Sequence, residues 1–134
     1  MTAAERPDIE AIRQRADDAT PGPWFWYGNP HGHDIFLATM NDRWPGWSVV
    51  MDFARWGMKS ASPRFIDKTG LMHKAHEDPM PVYQVCPDCT DRKDSRVYRQ
   101  HIVGLRHPDA QFIAHARQDI DDLLAYIECL EASR

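Results

Sequence analysis

The sequence predicts an α+β fold, a short antiparallel sheet of about 4–6 strands with an N-terminal helix and a long C-terminal amphipathic helix packed on it. Three observations carry this expectation. Apolar residues recur at helical spacing near both ends of the chain. Between those ends, short apolar segments alternate with proline and glycine breakers. The connections between the segments are short, which favours antiparallel pairing over crossovers.

Residues 7–18 read as the first helix. Pro7 suits a first helical turn, and Asp8 and Glu10 complement the positive end of the helix dipole. Ile9, Ile12, Ala16 and Ala19 give it one narrow apolar face, and Thr20-Pro21-Gly22-Pro23 ends it. Residues 24–27 (Trp-Phe-Trp-Tyr), 34–39 and 48–53 read as strands, separated by Gly28-Asn29-Pro30 and Pro45-Gly46. Residues 54–80 show no persistent period. Residues 82–85 and 101–105 read as two further strands, with a polar loop between them.

The final helix has the strongest signal. Phe112, Ile113, Ala116, Ile120, Leu123, Leu124, Ile127 and Leu130 step by three and four residues along one stripe. Pro108 and Asp109 suit its start. Asp119-Ile120-Asp121-Asp122 could reset the helix with a second cap, which leaves a kink or split there open.

The chain has 134 residues, enough for one domain, 1–134, with a core that needs no disulfides. Its net charge of −4 disfavours general nucleic-acid binding. No apolar run is long enough for a membrane span, and the N-terminal residues lack the apolar stretch of a secretory signal. Three cysteines do not read as an extracellular framework, so the expected location is cytoplasmic.

Few residues suggest chemistry. Cys86-Pro87-Asp88-Cys89 can chelate zinc, because two thiolates on one turn converge on a tetrahedral ion. His73 and His76 lie upstream as the remaining ligands of a structural site. Their spacing is tighter than the common zinc pattern, and the competing reading is a loop with two ordinary cysteines. No other cofactor is expected. His31-Gly32-His33-Asp34 looks like a strand-connecting loop, and no hydrolase, phosphate-loop or dinucleotide motif is present. No catalytic residue is assigned, although a cleft built from His31, His33, Asp34 and Arg55 stays open.

Trp24, Trp26, Tyr27, Trp44, Trp47 and Trp56 are interspersed with Arg43, Arg55 and Arg64. Aromatic faces stack on bases and arginine forks onto phosphate, so such a mixture can hold a small nucleotide. Most of these tryptophans are expected in the core. Arg55, Trp56, Arg96, Tyr98 and Arg99 are the ligand-binding candidates.

Two segments also carry a resemblance. Ala19-Thr20-Pro21-Gly22-Pro23-Trp24 follows the short first helix. Asp109-Ala110-Gln111-Phe112-Ile113-Ala114-His115-Ala116-Arg117 opens the last one and leads into Ile120, Leu123, Leu124 and Leu130. This frame resembles the Ead-like family of small phage and prophage early proteins. Residues 53–65 and 97–107 look like its subgroup from phages of high-GC Gram-positive hosts. The resemblance implies an early, non-structural accessory protein that acts on the host cell. It supplies no catalytic residues and no metal cluster. The expected function is therefore a non-enzymatic binding protein that modulates the host, with sequestration of a nucleotide signal of antiphage defence as one form. The alternatives are an adaptor that binds a host protein and a small zinc-stabilised domain. A homo-oligomer is compatible with each.

Overall fold

The computed structural model describes residues 6–40, 47–56, 60–75, 88, 90, 91, 93–95, 102 and 105–134. Its elements are α1 (Ile9–Asp18), β1 (Trp24–Asn29), a 3-10 turn (Pro30–Gly32), β2 (Asp34–Thr39), β3 (Ser48–Trp56), β4 (Ser60–Ile66), β5 (Met72–Lys74) and α2 (Pro108–Ala132). The fold is α+β, with a five-stranded antiparallel sheet in the order β1-β2-β3-β4-β5. The chain forms two compact units. One holds residues 1–20 and 108–134, the other residues 21–107. Among the described residues no helix is long and apolar enough to cross a membrane.

The helical unit is joined by carboxylates. Asp8 caps α1 by accepting from the Ala11 N–H at 3.0 Å. Arg15, on the last turn of α1, forks onto Asp119 of α2, with Nε to Oδ2 at 3.2 Å and Nη2 to Oδ1 at 2.7 Å. Asp119 is therefore a side-on acceptor for α1. It does not cap a second helix, and α2 runs without interruption. Asp109 at the start of α2 is fully buried, and it accepts from the Thr20 N–H at 2.5 Å and the Thr20 hydroxyl at 2.7 Å. Ala19 and Ala110, the neighbours of these two residues, are buried as well. The end of α1 and the start of α2 thus meet at one buried polar clasp.

In the sheet unit, β2 covers residues 34–39 as the sequence suggests, while β1 and β3 run two and three residues further than expected. The stretch after Ala54 is a correction, because β4 and β5 lie where the sequence shows no pattern. Pro63 explains part of this. It stands opposite Phe53, and its carbonyl accepts from the Ala75 N–H at 3.0 Å, on the side away from β3. Its missing N–H falls on that same side, so the β3–β4 ladder loses nothing. The β4–β5 turn is built by Asp67. Its Oδ1 accepts from the Thr69 N–H, the Thr69 hydroxyl and the Leu71 N–H. The expected strand at residues 82–85 lies outside the described residues, as does most of that at 101–105.

Between β2 and β3 the register shifts, with Leu37 opposite Met51 and Ala38 opposite Val49. Val50 is the extra residue of a bulge, and it is fully buried. At the other end of β2, Gly28 faces Ile35 with φ +136°. A Cβ there would lie 1.9 Å from the Asp34 carbonyl oxygen, so only glycine fits.

Candidate ligand-binding surface

Alternation along the strands gives the sheet two unlike faces. On one, Tyr27 stands opposite Phe36, and Trp47 closes over both, with ring centroids 4.5 Å and 5.4 Å away. Phe25 meets Tyr27 edge-on at 5.9 Å. Phe36 and Ala38 are buried beneath this aromatic group. Asp52 and Arg64, which face each other across β3 and β4, form a fork-to-fork pair at 2.7 Å and 2.5 Å. The hydrogen bonds to Asp52 raise the Arg64 pKa above its usual value, while burial opposes them. Arg64 is committed to that carboxylate.

On the other face, Trp26, Leu37, Met51 and Phe65 form one row across four strands. Ile35 and Phe53 stand two residues further along β2 and β3, and Arg55 two residues beyond Phe53. This face is open at one side and covered at the other. Phe65 is buried under His107, whose ring stacks on it at 5.1 Å and 21° while Nε2 sits 2.5 Å from the Ile66 carbonyl oxygen. Trp26, Ile35 and Phe53 are 66%, 52% and 53% exposed, and Arg55 is exposed beyond them. Two strand spacings and two residues of rise separate Trp26 from Phe53 by roughly 12 Å.

No family model, no curated protein and no solved structure matches the chain.

Of the ligand candidates named from sequence, Arg55 lies on the open face, opposite Ala61 in the ladder, and Trp56 pairs with Ser60 at the end of β3. Arg96, Tyr98 and Arg99 lie outside the described residues. The expectation that most tryptophans are core is corrected at two positions, Trp26 and Trp47, both of which are exposed. Trp26 and Phe53 are the residues that sequence reasoning missed. The signal at Trp26 was hidden because residues 24–27 are aromatic at every position, so no contrast marks which ring faces outward.

Of the proposed zinc ligands, His73 is described and exposed. It lies on β5 opposite Phe65, and its Nε2 sits 2.5 Å from Asp67 Oδ2, which ties the strand to the β4–β5 turn. The remaining three, His76, Cys86 and Cys89, lie outside the described residues. Among the described residues, no group of three His, Cys, Asp or Glu side chains converges on a metal position. His31 and His33 belong to the β1–β2 turn, as expected, and Asp34 opens β2 opposite Asn29. Asn29 accepts from the His31 and Gly32 N–H groups at 3.0 Å and 3.3 Å, and His33 closes the turn with φ 59°. Their backbone roles account for their positions.

Proposed function

We propose that this chain is a non-enzymatic binding protein whose ligand is a small nucleotide carrying two planar groups, of the cyclic-dinucleotide class. The observation that carries the reading is one sheet face that presents exposed Trp26 and Phe53, with exposed Arg55 two residues beyond Phe53 on the same strand. Exposed indole and phenyl rings supply stacking surfaces, and a guanidinium supplies a fork for phosphate. A separation of roughly 12 Å exceeds one base and suits two bases joined through phosphates.

The resemblance to Ead-like early proteins supports a setting in the host cytoplasm. There the chain acts as a phage accessory protein that modulates the host by withdrawing a nucleotide signal from a defence pathway. Isothermal titration against cyclic dinucleotides, cyclic trinucleotides and cyclic ADP-ribose isomers tests the reading. Saturable heat with a dinucleotide supports it, and no heat with any of them retires it.

A further inference from the structure

We draw no further inference here: the strongest candidate, the exposed apolar stripe of Ile113, Ile120, Leu124 and Ile127 along α2, carries nothing, because nothing in the structure shows what covers it.

Discussion

Replacing Asp109 by alanine removes the acceptor of two hydrogen bonds at once. The carboxylate is fully buried and takes both the backbone N–H and the hydroxyl of Thr20. Hydrogen bonds to a charged group contribute about 1.5–3 kcal/mol each. The carboxylate also sits in the first turn of α2, where a negative charge adds about 0.3–1 kcal/mol. Alanine relieves the cost of burying a charge, so the expected net loss is about 2–4 kcal/mol. In urea this lowers the unfolding midpoint by about 1–2 M. The assay is urea unfolding followed by far-UV circular dichroism, with exposed Asp121→Ala as the control. A double-mutant cycle with Thr20→Val isolates the hydroxyl bond and should give a coupling of about 1 kcal/mol. A loss for Asp109→Ala no larger than that for Asp121→Ala, or a coupling near zero, would refute the clasp.

Three further outcomes follow from the same geometry. Arg15→Ala should cost about 1–3 kcal/mol by leaving the Asp119 carboxylate without its fork, and Arg15→Lys should recover only part of this in the same unfolding assay. Gly28→Ala should lower the thermal midpoint through a loss of about 2 kcal/mol or more, because its Cβ would collide with the Asp34 carbonyl at a positive φ. Asp67 is held well below the usual carboxylate range, chiefly by the Thr69 hydroxyl, with the Leu71 N–H and His73 adding to it against the cost of burial. A depressed folded-state pKa contributes stability above the unfolded value, about 3.9, that is lost as pH falls below it. Asp67→Asn should therefore flatten the decline in thermal midpoint below about pH 4, and an unchanged acid limb would contradict this.

Both helices are legible in the sequence because a cap and an apolar stripe mark each of them. The boundaries of β2 are legible for a similar reason, since it lies between a turn on Asn29 and a polar connection. β4 and β5 are not legible, because Pro63 and Gly70 read as breakers. Their tolerance depends on neighbours that a sequence does not display: a carbonyl turned toward Ala75, and a hairpin tied by Asp67. At the candidate site, Arg55 could be picked out as a charge among aromatics. Trp26 could not, since four consecutive aromatics leave no period to separate faces. The structural partners of Asp109 and Asp119 were equally hidden, because each bond joins residues far apart in the chain.

The central claim is that the open sheet face binds a nucleotide through Trp26, Phe53 and Arg55. The most direct measurement is calorimetric titration of a cyclic dinucleotide into the wild-type chain and into Trp26→Ala, Phe53→Ala and Arg55→Ala. Stacking contributes about 1–3 kcal/mol per base, so each aromatic variant should weaken binding about tenfold or more. Arg55→Ala should do so as well, and its loss should lessen at high salt. Binding of unchanged affinity in all three variants, or no binding to the wild-type chain, would contradict the account.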